Sequence, residues 1–212
     1  MAVQELIVHA CAQTTVSRPY LHTLTTLPTE MRIIAGSAKG RRLKAPDSKG
    51  TRPATDRVRE AVFSMIGGKI EDARVLDLYA GTGSFGLEAL SRGAAMATFV
   101  ENERSALVAL KHNIETCGLG GRVVATSVEG YLIRDPETFD LVFLDPPWDL
   151  TQTRMEQQMA DLGPLLAASA TVIISRRHSD PTPRTPETWQ VATDRRYGDT
   201  RIVWYEKVSE DS

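Results

Sequence analysis

The sequence is poor in the residues that staple or metallate small proteins. Its two cysteines, Cys11 and Cys117, stand in unrelated contexts and make no metal-ligand spacing. Neither a disulfide scaffold nor a zinc site is indicated, which fits a reducing cytoplasm. Histidine is scarce as well: His9 and His22 lie near the N-terminus, His112 falls on an expected helix and His178 in a polar loop. Surface placement is expected for all four, and no metal is required. No apolar run approaches the ~20 residues that a membrane-spanning helix needs. Leu6-Ile7-Val8 lacks the basic flank and cleavage site of a secretory signal. No internal repeat is visible. What is left, at 212 residues with ordinary hydrophobic content, is one α/β domain and a small appendage.

Charge is present but unevenly spread. Residues 31–59 carry Arg32, Lys39, Arg41, Arg42, Lys44, Lys49, Arg52, Arg57 and Arg59 against Asp47 and Asp56, a balance of +7, although the whole chain carries −2. A basic stretch joined to an acidic body points to a polyanion held on one face, with a solvated surface strip as the plain alternative. Residues 1–30, with six threonines, two prolines and no periodicity, read as a disordered tail.

Three units follow along the chain: the tail at 1–30, a basic appendage at 31–68 and an α/β body at 69–212. Arg32 to Leu43 suggests a short hairpin turning at Gly36 to Gly40. Thr55 or Asp56 is placed to cap a helix to about Ile66, with Val58, Val62, Phe63 and Ile66 on one side. Strands are expected over Arg74–Tyr79, Ala97–Glu101, Arg122–Thr126, Phe139–Leu144 and Ala170–Ser175. Helices are expected from Phe85 to Ser91, from Ser105 to Cys117 and over residues 154–168. Trp189–Thr193 and Thr200–Lys207 would close the sheet as an antiparallel pair. Such alternation predicts a mainly parallel, Rossmann-like sheet with helices on both faces.

Two motifs carry chemistry. After the strand Val75–Tyr79 comes Ala80-Gly81-Thr82-Gly83-Ser84-Phe85-Gly86 and a helix. Glycines let the backbone turn tightly beside a ligand, but this pattern alone fits NAD as well as other nucleotides. Asp77, at the strand end, disfavours a pyrophosphate and suits an ammonium, such as that of the methionine part of S-adenosylmethionine. Glu101 closes the next strand, where a carboxylate can accept from both ribose hydroxyls. Tyr79, Gly81, Thr82, Gly83, Asn102, Val128 and Glu129 complete the candidate cofactor set.

The second motif is Asp145-Pro146-Pro147-Trp148, after the strand Phe139–Leu144. Two prolines fix where a carbonyl points. A carboxylate, a rigid carbonyl and an aromatic face suit a planar base bearing an NH2 group, whose lone pair is delocalised and poorly nucleophilic. Accepting its hydrogens at Asp145 and the Pro146 carbonyl favours a more tetrahedral nitrogen. Trp148 would stack the base in line with the methyl donor, the positioning that proximity catalysis needs. Such a base must be unpaired or flipped out. Arg176 and Arg177 are either RNA contacts or a solvated loop.

Asp145-Pro146-Pro147-Trp148 resembles the (Asp/Asn)-Pro-Pro-aromatic motif of amino methyltransferases. The block Thr51-Arg52-Pro53-Ala54-Thr55-Asp56-Arg57-Val58-Arg59-Glu60, with Asp77 to Gly83, Gly86 to Ala94 and Tyr197 to Thr200, narrows the resemblance. From about Met31 to Glu206 the chain resembles the RsmD family, bacterial methyltransferases of guanine N2 in 16S ribosomal RNA. The resemblance implies a seven-stranded S-adenosylmethionine-dependent methyltransferase sheet and a small ribosomal subunit, or an assembly intermediate of it, as substrate; the chain itself is expected to be a monomer. It also implies RNA contacts from Lys39, Arg41, Arg42, Arg52, Arg57 and Arg59. Trp148 departs mildly from the Tyr or Phe of many members. Where many relatives carry an acidic residue near the adenine, Val128 stands here with Glu129 beside it, so backbone groups of Ser127 to Glu129 are expected to serve. Methylation of adenine N6 or a glutamine amide, and a non-catalytic RNA-binding assembly factor, are the competing readings.

Overall fold

The computed structural model describes residues 31–46, 56–133 and 137–208. The expected tail, together with Lys49, Arg52 and Thr55, lies outside the described residues. A short β-bridge joins Arg32 to Arg42 in antiparallel fashion, closing the expected hairpin. Helix α1 (Asp56–Ile66) follows, buried along Val58, Val62, Phe63 and Ile66. The remaining elements are β1 (Arg74–Leu78), α2 (Ser84–Ser91), β2 (Met96–Glu101), α3 (Arg104–Cys117), β3 (Arg122–Ala125), α4 (Val128–Leu132), β4 (Phe139–Leu144), α5 (Gln152–Leu162), β5 (Leu166–Arg177), β6 (Trp189–Tyr197) and β7 (Thr200–Lys207).

The seven strands lie in the order β3-β2-β1-β4-β5-β7-β6. Strands β1 to β5 are parallel, and β7 pairs antiparallel with both β5 and β6. Alternate residues of each strand enter different cores. Val75, Phe99, Leu141, Phe143 and Ile173 pack with α1, α2 and α3, whereas Leu76, Val100, Val142 and Ile174 pack with α4 and α5. Burial on both faces explains why these strands read as continuous apolar runs. The chain runs outward from β1 to β3, then returns to place β4 on the other side of β1. The strand order therefore reverses between β1 and β4, the place where open α/β sheets form their ligand crevice.

The basic segment is joined firmly to this body. Met31, Ile33, Ala38 and Leu43 share one core with α1 and the sheet. Ile34 and Ala35 N–H groups donate to the buried Glu88 carboxylate at 2.7 and 3.0 Å. At Gly36 a Cβ would lie 1.7 Å from the Ser91 carbonyl oxygen, so only glycine permits this approach.

Strand β6 continues to Tyr197, four residues past the expected end at Thr193, and one expected helix needs correction. Residues 154–168 are not continuously helical: α5 ends at Leu162, a 3-10 turn covers Gly163–Leu165, and β5 already starts at Leu166. Pro164 is the physical reason, because it removes a donor and clashes with the preceding helical turn.

Candidate active site

The glycine turn after β1 and the Asp-Pro-Pro-Trp loop after β4 stand side by side, since Leu78 and Leu144 are register partners at the strand ends. Gly81 and Gly83 adopt φ values of 54° and 78°, a region that favours glycine. Gly83 occupies the N-cap of α2 and has no side chain to offer, so the first turn of that helix is satisfied from elsewhere. Asp77 does this, accepting from the Gly86 N–H at 2.9 Å. Glu101 accepts from the N–H groups of Gly81, Asn102 and Glu103 at 2.8, 2.8 and 2.7 Å, tying the glycine turn to the end of β2.

Three carboxylates thus gather at the crevice. Burial holds Asp77 well above the usual carboxylate range; the Gly86 hydrogen bond opposes this, and the charges of Asp145 and Glu101 add to it. Burial also pushes Asp145 up to about 6, against the stabilising Ser175 hydroxyl. Among the described residues no lysine or arginine forms an ion pair with any of the three. Such a site is poorly suited to a pyrophosphate and well suited to a cation. A Cβ at Gly81 would meet only the Tyr79 carbonyl oxygen, at 3.9 Å, so the turn borders open space. The residues present therefore fit S-adenosylmethionine, whose sulfonium and ammonium groups are both positive.

The other expected cofactor residues divide. Thr82 is buried, with its hydroxyl turned to the Met31 sulfur at 3.4 Å, and Val128 is taken up by the core beneath α4. Both side chains are turned into the protein interior, which leaves their backbone groups as what they can offer a ligand. Asn102 is exposed, and its N–H is engaged by Glu101. Tyr79 is held at φ 61°, an uncommon conformation for a non-glycine residue and one that marks many functional sites. Its hydroxyl exchanges hydrogen bonds with Gln158, which also donates to Glu129 at 2.7 Å. Arg154 completes this group with a 2.6 Å bond to Glu129. Gln158 and Arg154 were not legible as site residues, because only the fold brings α5 against α4 and the end of β1.

In the Asp-Pro-Pro-Trp loop Pro146 is buried, Pro147 is exposed and Trp148 keeps 36% of its surface open. The Leu150 N–H closes the loop on the Pro147 carbonyl at 3.0 Å. The Pro146 carbonyl accepts no hydrogen bond among the described residues. A half-buried carboxyl, a free carbonyl and an open indole face therefore share one rigid turn.

Of the expected RNA contacts, Lys39, Arg41, Arg42 and Arg57 are exposed, with Arg41 also donating to the Thr116 carbonyl at 2.5 Å. Arg59 is a correction. Its side chain is wholly enclosed, donating to the Ser84 and Arg32 carbonyls at 3.2 and 2.5 Å and to Asp56 at 2.7 Å, with Glu88 at 4.0 Å. No phosphate can reach it. The signal was in the sequence: Arg59, Val62, Phe63 and Ile66 follow the i, i+3, i+4, i+7 spacing of a core-facing stripe.

Residues 31–206 match the family model described as conserved hypothetical protein 95. The chain is 35% identical over 179 residues to ribosomal RNA small subunit methyltransferase D of Escherichia coli, spanning 84% of this chain and 90% of that one. The protein of the same name in Haemophilus influenzae is 33% identical over 174 residues, 80% of this chain and 90% of the relative. Among solved structures, Escherichia coli yhhF superposes with a TM-score of 0.76 at 34% identity, covering 85% of this chain and 99% of the other. A Thermus thermophilus hypothetical protein gives 0.72 at 31% identity, with 84% and 98% covered.

Proposed function

This chain belongs to the conserved hypothetical protein 95 family, and from that premise we propose that it methylates guanine N2 in small-subunit ribosomal RNA with S-adenosylmethionine. The observation that carries the reading is the unpaired acidic crevice at the β1–β4 reversal, bordered by the Asp-Pro-Pro-Trp turn. Relatives named small-subunit ribosomal RNA methyltransferases support the RNA class. The block from Thr51 to Glu60 supports the choice of guanine N2.

Bound S-adenosylmethionine supplies an electrophilic methyl group. Glu101 contributes negative potential that favours it, a bound cation draws the buried Asp77 back towards its ionised form, and the Gly81 turn lets the ligand approach the backbone. Trp148 stacks the extruded base. Asp145 and the Pro146 carbonyl accept the two amine hydrogens, and Asp145 takes the proton that the nitrogen sheds as its new bond to carbon forms. A carboxyl with a pKa near 6 then returns that proton to water at neutral pH. The deciding experiment is incubation with small-subunit particles and isotopically labelled methyl donor, followed by nucleoside analysis. N2-methylguanosine is expected; labelled N6-methyladenosine, or no label in RNA, would overturn the reading.

Glu101→Ala should weaken S-adenosylhomocysteine binding about 10- to 100-fold, the worth of a charge-assisted hydrogen bond. Glu101→Gln should lose less, because it keeps an acceptor for the Gly81 N–H. Calorimetric titration with equal affinities for all three proteins would remove Glu101 from the site.

The pH profile follows from Asp145. Only its ionised form accepts the amine hydrogen and proton, and its pKa lies at about 6. Log kcat/KM, which reports the free enzyme, should therefore rise with unit slope below pH 6 and level off above it. A flat profile through that range is the contrary result.

RNA docking is assigned to the basic segment, whose Lys39, Arg41, Arg42, Lys44 and Arg57 are exposed. With about five phosphate contacts, log affinity should fall against log salt with a slope of about −3.5 to −4.5. Reversing Lys39, Arg42 and Arg57 to glutamate should flatten that slope by about 2 to 3 and leave cofactor affinity unchanged. An unaltered slope would move the contacts elsewhere on the surface.

A further inference from the structure

Consecutive residues of a strand point to opposite faces, and at the end of β5 two consecutive arginines grip the Asp-Pro-Pro-Trp turn from both sides. Arg177 places its guanidinium carbon 4.8 Å from the centre of the Trp148 ring. Arg176, buried on the other face, donates to the Leu150 carbonyl at 3.0 Å and is held by Asp180 at 2.9 Å. The turn is thus fastened just past its end, at Leu150, by Arg176 and at its indole by Arg177.

The two fastenings differ in kind. Arg176 is enclosed and bonds a backbone carbonyl, which is a fixed structural tie. Arg177 is exposed, forms no ion pair among the described residues and makes a cation–π contact with a ring that itself remains partly open. A guanidinium lying over one face of an indole leaves one face for another planar group. It also withdraws negative charge from that ring, so an electron-rich purine stacks on it more favourably. Ser175, two residues earlier on the same side of β5, lowers the pKa of Asp145 through its hydroxyl, so this face of the strand meets both the carboxylate and the indole. The same sheet face carries α1 and the basic segment.

We propose that Arg177 is a substrate-positioning residue, backing one face of Trp148 so that the target base stacks on the other. This rests on the methyltransferase reading, and it assigns Arg177 a role through Trp148 rather than through phosphate.

The test is a double-mutant cycle on the full chain. Affinity for small-subunit particles with S-adenosylhomocysteine present, and steady-state and single-turnover methyl transfer, are measured on the same samples. Arg177→Met, which keeps the length and loses the charge, should weaken particle binding and raise KM about three- to tenfold with kcat nearly unchanged. Arg177→Lys should recover part of the loss. In a Trp148→Ala background, Arg177→Met should have no further effect, and the salt slope should be the same in all variants. A loss that persists without Trp148 and flattens the salt slope by about 0.7 to 0.9 would show a direct phosphate contact and overturn the proposal. Equal affinity of Arg177→Met and the unmutated protein would also overturn it. If the unmutated protein binds particles with this coupling but never methylates them, the methyltransferase reading fails and the stacking role stands.

Discussion

Replacing Asp145 by alanine should lower single-turnover methyl transfer by about two to three orders of magnitude, the usual cost of removing one preorganised polar contact made chiefly in the transition state. Binding should change much less, because the amine hydrogen is donated most strongly as the nitrogen loses its conjugation with the ring. The geometry makes this separation testable. Asp145 stands at the end of a buried strand, its carboxyl pushed up to about 6 by burial and held by Ser175. Alanine removes the carboxylate without disturbing Pro146 and Pro147, which shape the turn. Asp145→Asn, which keeps one acceptor oxygen but cannot take a proton, should retain more rate than alanine and lose the limb near pH 6. Trp148→Ala should instead act on placement, weakening base binding by ~1–3 kcal/mol, while Trp148→Tyr should be mild. Single-turnover rates and particle affinities on the same samples check all four. A native rate for Asp145→Ala would reject its chemical role.

The second large effect is on stability. Arg59→Met should destabilise the protein by about 2–4 kcal/mol, because it removes one of the two cations beside buried Glu88 and strips a donor from enclosed carbonyl groups. Glu88 is fully enclosed, and its carboxylate faces Arg59 at 4.0 Å, Arg92 at 2.7 Å and the N–H groups of Ile34 and Ala35. Losing Arg59 also orphans the Arg32 carbonyl in the basic segment and removes a second donor from the Ser84 carbonyl at the start of α2 beside the glycine turn. The melting temperature should fall by about 10 °C at this chain length. The salt slope of RNA binding, measured well below the new midpoint, should be unchanged. An unchanged midpoint together with weakened RNA binding would mean that Arg59 is accessible after all.

Local signals in the sequence suffice for much of this molecule. Most strand and helix limits agree with expectation to within a residue or two, because the apolar period and the glycines that interrupt it act over neighbouring residues. The hairpin at Arg32–Arg42 and the start of α1 at Asp56 were legible for the same reason. So were the two motif turns, each built from a contiguous run whose backbone demands only glycine or proline meets. Where local reasoning erred, a neighbouring residue held the correction: Pro164 ended α5, and the spacing of Arg59 with Val62, Phe63 and Ile66 marked it as core-facing. The short α4 escaped notice because a helix of five residues shows little period, its start resting on one Ser127 hydroxyl bond to the Gly130 N–H.

What only the tertiary structure decided is which distant residues meet. Asp77 and Glu101 were expected to await a ligand; the fold also uses them to cap α2 and to hold the Gly81 turn, because Gly83 brings no side chain of its own. Arg176 and Arg177 were ambiguous in sequence, since a cation after a strand is equally at home in water. Their contacts come from the placement of β5 beside β4, which brings Trp148 within a cation–π distance and the Leu150 carbonyl within a hydrogen bond. Periodicity and turn chemistry are properties of adjacent residues and can be read along the chain. Burial of a charge and the partners that neutralise it depend on segments dozens of residues apart, and strand order alone brings those together.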